Sequence, residues 1–257
     1  MSDTRRGQKG AAGGARPRGR PKAKLRVIGR LTAEVEADGE AMHHAVYNAL
    51  RRAQMAGRFS PGQEMVVRAL AREFGTSPMP VREALRRLVS ENALEYGANR
   101  TISVPPISLE RLADLRRCRT MIEGTATSWA VQNAGSKHLD ELTGINEAVL
   151  DASRRGDIES LLEHNQEFHF RLYSLAGSPV LMSAIESLWL QAGPYLNYLR
   201  PSLLEGGMLD HHAEILAAIA AEDPEAAAAA LRADIDDAAD FTARILAEEE
   251  ARRAAGR

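Results

Sequence analysis

The run T-S-P-M-P-V-R-E-A-L-R-R-L from Thr76 to Leu88 limits the folds open to this chain more than any other stretch. Pro78 and Pro80 belong in the first turn of a helix, where a missing N–H costs little, and not in its interior. Ser77 sits where an N-cap belongs, its hydroxyl placed to take the Met79 N–H. Val81, Leu85 and Leu88 then recur at i, i+4 and i+7 and share one face. Arg82 and Arg86, four apart, share the opposite face, with Arg87 nearby. The stretch therefore predicts a helix that packs on one side and is basic on the other.

A shorter helix precedes it, with Val67, Leu70 and Phe74 inward, Arg68 and Arg72 outward, and Gly75 as its stop. After it, Leu94 and Tyr96, then Ile102 and Val104, alternate on either side of Gly97-Ala98-Asn99-Arg100-Thr101, the pattern of two short strands and a polar loop. Helix, tight turn, helix and hairpin make a winged helix-turn-helix, a fold whose second helix enters a DNA major groove. For any single arginine the plain alternative is a solvated face; for the set, nucleic acid is the stronger reading.

The residues Arg68-Ala69-Leu70-Ala71, Gly75, Ser77, Pro80-Val81-Arg82-Glu83-Ala84-Leu85 and Asn99-Arg100 resemble the DNA-binding domain of the GntR family of bacterial transcription regulators, in the branch typified by FadR. The resemblance implies that Arg68 and Arg82 hold phosphates or guanine edges, that Ser77 touches a phosphate, and that the wing tip at Asn99 and Arg100 reaches toward the minor groove. The family often has arginine directly after the capping serine. Here Pro78 stands there, so that base contact is either missing or replaced by Met79.

At 257 residues the chain suits two modest domains with a substantial core. One cysteine, Cys118, excludes an internal disulfide framework and fits a reducing, cytoplasmic setting. No run approaches the roughly 20 apolar residues of a membrane span, and the basic start lacks the apolar core of a secretory signal. Charge is uneven. The first thirty residues hold ten Lys and Arg against one Asp, so with a net charge of -2 the remainder carries about -11. Only the basic end, apart from the helix-turn-helix, suits nucleic acid.

Residues 1–35 mix Gly, Ala, Pro and basic side chains and predict a disordered arm. Within it Arg18-Gly19-Arg20-Pro21 resembles an AT-hook, in which Arg18 and Arg20 would enter a narrow minor groove; the alternative is a solubilising basic tail. Residues 36–105 are assigned to the winged helix-turn-helix, beginning with an amphipathic helix that buries Val46, Leu50 and Ala53. Pro105-Pro106 marks the boundary. Residues 106–257 follow as an all-helical domain, with starts at Ser108, Ser136, Asp157, Ser178, about Met208, and Asp223-Pro224. The fold class is mostly α: an N-terminal winged helix-turn-helix, then an antiparallel bundle of six or seven helices.

Polar residues on apolar stripes mark candidate chemistry in the bundle. The first bundle helix runs Leu112, Leu115, Arg119, Ile122, Ala126, Trp129, so Arg119 needs a partner: Glu123 one turn on, or an anionic ligand. The third carries Asn165 and His169 among Ile158, Leu161, Phe168 and Leu172. The helix from about Met208 turns His212 inward and His211 elsewhere. The last places Asp234 with Ala227, Leu231, Ala238, Phe241 and Ile245. Four of these groups, Asn165, His169, His212 and Asp234, have metal-ligand chemistry and lie on three helices, which exceeds what satisfied core polarity requires.

Asn165-Gln166-Glu167-Phe168-His169, Ala176-Gly177-Ser178-Pro179 and His212 with Ile215-Leu216 are similar to the FCD ligand-binding domain of the FadR branch. That resemblance implies a divalent metal, zinc first and manganese or nickel after it, held by Asn165, His169, His212 and Asp234. Asp234 stands where the family has its last histidine. It also implies a small carboxylate effector, such as an organic or sugar acid, gripped by Arg119, and a homodimer joined through the helical domain. The alternative for the four polar groups is a metal-free effector pocket. The expected function is a ligand-responsive, DNA-binding transcription regulator, a repressor released or modulated by its effector on double-stranded operator DNA. A metal-dependent enzyme lacks an H-E-x-x-H motif or any nucleophile with a base at useful spacing, and an architectural DNA protein would rest on the basic arm alone.

Overall fold

The computed structural model describes residues 39–97, 100–199 and 211–255. The basic arm with Arg18 and Arg20, and Asn99 at the wing tip, lie outside the described residues. The amino-terminal part is built from α1 (Gly39–Met55), α2 (Val67–Glu73), α3 (Pro78–Ser90), β1 (Glu95–Tyr96) and β2 (Ile102–Ser103). The strands are antiparallel, pairing Glu95 with Ser103 and Tyr96 with Ile102, and Glu64 bridges to Ser103 at the base of the wing. Gly75 takes a left-handed φ of +61° between α2 and α3, which a glycine adopts without the Cβ penalty. Val46, Leu50, Leu70, Val81, Leu85 and Leu88 are all buried, so the expected apolar faces of α1, α2 and α3 meet in one core.

Ser77 occupies the N-cap of α3, but its hydroxyl makes no capping bond. Pro78 and Pro80 remove two of the three first-turn N–H groups, so little is left to cap, and the side chain stays exposed.

The bundle comprises α4 (Leu109–Asn133), α5 (Ser136–Arg154), α6 (Ile158–Ser174), α7 (Pro179–Ala192) running into a 3-10 turn (Gly193–Tyr195), α8 (His211–Ala220) and α9 (Pro224–Ala255). Side-chain caps set three of the starts: the Ser108 hydroxyl accepts from Arg111 N, the Asp157 carboxylate from Ser160 N, and the Ser178 hydroxyl from Leu181 N. Helix α4 packs along α9, α5 along α6, and α8 against α5 and α9. Two stripes differ from expectation. Trp129 is 43% exposed, because the buried side of α4 turns through Arg119 to Glu123, Thr127 and Ala130, one position on from the spacing read above. On α9 the buried line follows Leu231, Ile235, Ala239, Thr242 and Leu246, leaving Phe241 and Ile245 half-buried. Among the described residues no helix is long and apolar enough to cross a membrane.

A single core group runs from Val46 in α1 to Ile235 in α9, so the head is seated on the bundle. Arg51 of α1 pairs with Glu186 of α7 at 2.6 Å, Arg58 with Glu163 of α6, and Asn197 Nδ2 donates to the Phe59 carbonyl at 3.0 Å. At the centre of this seat main chain meets main chain. A Cβ added at Gly193 would stand 2.1 Å from the Gln54 carbonyl oxygen and 2.8 Å from Met55 Cα. The head is thus held by the two helices that carry His169 and Trp189, and not only by the Pro105-Pro106 linker.

Candidate functional site

A groove of about 710 Å³ lies between α3 and the wing, walled in part by Glu64, Val66, Arg82, Arg86, Tyr96 and Arg100. Arg82 and Arg86 project into solvent from the face of α3 opposite its buried Val81, Leu85 and Leu88. Arg100, with a φ of +58°, turns the chain at the wing. Three guanidinium groups therefore line one trench with an exposed tyrosine, the footprint that a polyanion requires. Arg68 is exposed on α2, and Ser77 and Met79 are exposed at the start of α3, Met79 by 61%. Arg87 is used differently: it lies over the Tyr47 ring at 3.8 Å and bonds Glu91 at 3.1 Å, tying α3 to α1.

The bundle encloses a second polar centre. His169 and His212 bring their Nε2 atoms within 3.3 Å of each other, and Asp234 Oδ2 lies 3.5 Å from His169 Nε2. Ligand atoms of all three fall within 4.8 Å of one another. The back of each ring is held. His212 Nδ1 is 2.9 Å from Asn146 Oδ1, an acceptor, so the ring proton sits on Nδ1 and is donated there. Phe168 stacks on the same ring at 3.9 Å. Tyr173 donates its hydroxyl proton to Glu123 Oε2 at 2.6 Å, so its oxygen accepts from His169 Nδ1 at 3.3 Å. Both imidazoles thus turn Nε2 lone pairs toward a shared point beside a carboxylate. Burial, reinforced by His212 and Arg119, holds the His169 pKa well below its ordinary value and keeps that ring neutral.

Behind this cluster sits Glu123, with no exposed surface. It accepts from Arg119 Nε at 2.7 Å, from Trp189 Nε1 at 3.0 Å and from the Tyr173 hydroxyl. Burial opposes charge on Arg119, yet Glu123 keeps its pKa raised. Burial and the same carboxylate push the Tyr173 hydroxyl well above its usual range, so it remains a donor. His211 is buried too, but between Glu214 at 2.9 Å and Asp237 at 3.0 Å, away from the paired rings.

The pattern described as bacterial regulatory proteins, gntR family, matches residues 43–104, and that of the FCD domain matches residues 114–237. The HTH-type transcriptional regulator McbR of Escherichia coli (strain K12) is 34% identical over 181 residues, spanning 69% of this chain and 82% of that protein. The chain belongs to the GntR family. A second GntR-type relative, the HTH-type transcriptional repressor GlaR of the same organism, is 29% identical over 187 residues, covering 68% of this chain and 84% of its own length. The solved structure of E. coli McbR/YncC superposes with a TM-score of 0.73 at 31% identity, over 79% of this chain and 98% of that one. A GntR structure from Rhodococcus sp. RHA1 shares the fold at 23% identity and a TM-score of 0.62, over 79% and 97%. Like its relatives, this GntR protein with an FCD domain of the FadR type is a DNA-binding transcription regulator and not an enzyme.

Of the residues singled out in this GntR chain, the structure gathers His169, His212 and Asp234 and places Arg119 two partners away, through Glu123 and Tyr173. Asn165 is half-buried on α6, one turn before His169. Asn146, Tyr173 and Trp189 were not anticipated. Asn146 was within reach, because it falls on the apolar stripe of α5 with Leu142 and Val149.

Proposed function

We propose that this regulator is a homodimeric repressor whose helical domain holds a divalent metal on His169, His212 and Asp234, with Asn165 adjoining, and reads a small carboxylate there. The observation that carries the reading is the pair of facing Nε2 atoms. Ligand atoms of a tetrahedral zinc site, with bonds of about 2.0 to 2.2 Å, stand about 3.3 to 3.6 Å apart. The spacings of 3.3 and 3.5 Å between ring nitrogens and from ring nitrogen to carboxylate fall in that range. Two lone pairs aimed at each other repel unless a cation lies between them. Asn146 and Tyr173 then act as the outer hydrogen-bond partners that fix each ring's tautomer. A metal held there would supply Lewis-acid chemistry toward an effector carboxylate, and Arg119 would offer it a cation from the α4 side. A cation at this site has a direct route to the head, since His169 lies on α6 with Glu163, and Trp189 lies on α7 with Glu186.

Elemental analysis of the purified protein is expected to give about one zinc, manganese or nickel per chain, reduced to background in His212→Ala. Absence of stoichiometric metal in the wild type would leave a metal-free polar pocket in its place.

On the DNA side, the face formed by Arg82 and Arg86 enters the major groove while Arg68, Ser77, Met79 and Arg100 contact its edges and backbone. Two such heads on half-sites a helical turn apart require a two-fold dimer in a cytoplasmic regulator of this kind. Arg82→Ala should weaken specific operator binding by about 1 to 3 kcal/mol if the arginine is bidentate to a base. Footprinting titrations on matched and scrambled sites measure this, and wild-type affinity for the matched site would remove Arg82 from the readout.

A further inference from the structure

Arg119 belongs to two surroundings. One is the polar centre just described. The other is a cleft between α4, the 3-10 turn with the chain after it, and α9, walled chiefly by Leu112, Leu115, Leu196, Leu199, Ile235 and Ala239. Among the described residues the polar groups lining the cleft are few and mostly committed. Arg116 holds Asp236 and Asp240 at 2.6 Å each, and the Thr242 hydroxyl donates to the Ala238 carbonyl at 2.8 Å. Tyr195 contributes one buried hydroxyl with no partner in hydrogen-bond geometry, although the Arg111 guanidinium is near enough to act on it. Arg119 directs Nε and Nη2 at Glu123, which leaves Nη1 to meet an anion.

We propose that the effector is a slender aliphatic carboxylate, its carboxylate on Arg119 and its alkyl body in this cleft. The inference rests on the carboxylate reading above and narrows it. Charge complementarity fixes the head, since Arg119 is the lining cation whose charge is shared with a single buried acid. The walls fix the body. Among the described lining residues a ligand hydroxyl finds the Tyr195 hydroxyl and the still-accepting Thr242 oxygen, and each further one is stranded without a partner. A polyhydroxy acid is therefore excluded by desolvation, whereas each methylene gains from contact with leucine and isoleucine. The bore limits thickness. Its open space is about 40 Å³, roughly three water-sized positions at about 10 to 15 Å³ each, which suits a short unbranched chain better than a ring.

Hexanoate and gluconate test this directly, because both are six-carbon carboxylates and differ in hydroxylation. Titration calorimetry of the full-length, metal-loaded protein with acetate, butyrate, hexanoate and gluconate is the experiment. Affinity is expected to rise from acetate to hexanoate by up to about fourfold per methylene, with gluconate at least about tenfold weaker than hexanoate. Gluconate binding as tightly as hexanoate, or no gain from acetate to butyrate, would overturn the proposal while leaving the carboxylate site standing. Failure of all four to bind would instead overturn the carboxylate site itself, and this inference with it. The location is tested by Ala239→Leu, which fills the cleft. It should weaken hexanoate at least about tenfold while metal content stays at its wild-type value; unchanged hexanoate binding in the folded variant rejects the cleft. The wild-type series decides the chemistry even if that variant does not fold.

Discussion

Glu123→Ala is expected to destabilise the protein by about 3 to 5 kcal/mol, the cost of leaving a buried charge without its counter-ion. Glu123 is the fully buried acceptor for Arg119, Tyr173 and Trp189, so alanine strands a guanidinium and two further donors together. Chemical denaturation monitored at Trp189 and Trp129 measures the loss, and a midpoint within error of the wild type would show that Arg119 finds solvent instead. The isosteric Glu123→Gln keeps the volume and separates a second effect. With a carboxylate at 123, Tyr173 gives its proton away and accepts from His169 Nδ1. With a weaker acceptor there, Tyr173 can donate to His169 Nδ1 instead, which moves the ring proton to Nε2, the atom that faces His212. Metal affinity should then fall by about 10- to 100-fold, as for loss of an outer hydrogen-bond partner of a metal ligand. A glutamine variant with lowered stability and unchanged metal affinity would confine Glu123 to neutralising Arg119.

The second large effect is expected at Gly193→Ala. A methyl group cannot stand 2.1 Å from the Gln54 carbonyl oxygen, and both atoms it meets belong to main chain, which has no alternative rotamer. The head must lift from the bundle or the turn must deform. Overpacking of this kind costs about 1 to 3 kcal/mol or more. Gly144→Ala is the matched control, since nothing lies within 4 Å of its added Cβ on α5. There the substitution should be neutral or stabilising by about 0.5 to 1 kcal/mol. The informative readout is linkage. In the wild type, loading the metal site should shift operator affinity; in Gly193→Ala that shift should shrink toward nothing while basal DNA binding persists, because Gln54 and Met55 are not among the residues that line the reading groove. An equal shift in both proteins would place the coupling in the Pro105-Pro106 linker.

The reading head was legible because its determinants are local. Gly75, the Ser77-Pro78 start and the four-residue spacing of Val81 and Leu85 each act within one turn of chain, and each produced the expected backbone. The polar cluster of the bundle was half legible for a different reason: a polar residue on an apolar stripe announces itself, as His169, His212 and Asp234 did. What stayed hidden needed two helices at once. Arg119 and Glu123 were readable as an i,i+4 pair, but nothing in α4 alone shows that Trp189 and Tyr173 arrive from α7 and α6 to bury that pair. The stripe of α4 also drifts by a residue over its length, which moved Trp129 outside and left Trp189 as the indole at the centre. A glycine before a proline, as at Gly193-Pro194, interrupts a helix by local rules alone; that the interruption admits another segment's main chain is a fact of tertiary approach only.

That seat between Gln54 and Gly193 bears on how such regulators can be recombined. Its innermost contact is peptide against glycine and carries no side-chain identity, so any head whose first helix ends on the same path can occupy it. The identity resides at the periphery, in Arg51 with Glu186 and Arg58 with Glu163. A chimera that joins a foreign operator-reading head to this bundle should therefore be cut at the linker and matched at those two charge pairs. Transplanted so, it would respond to this bundle's effector on a different operator.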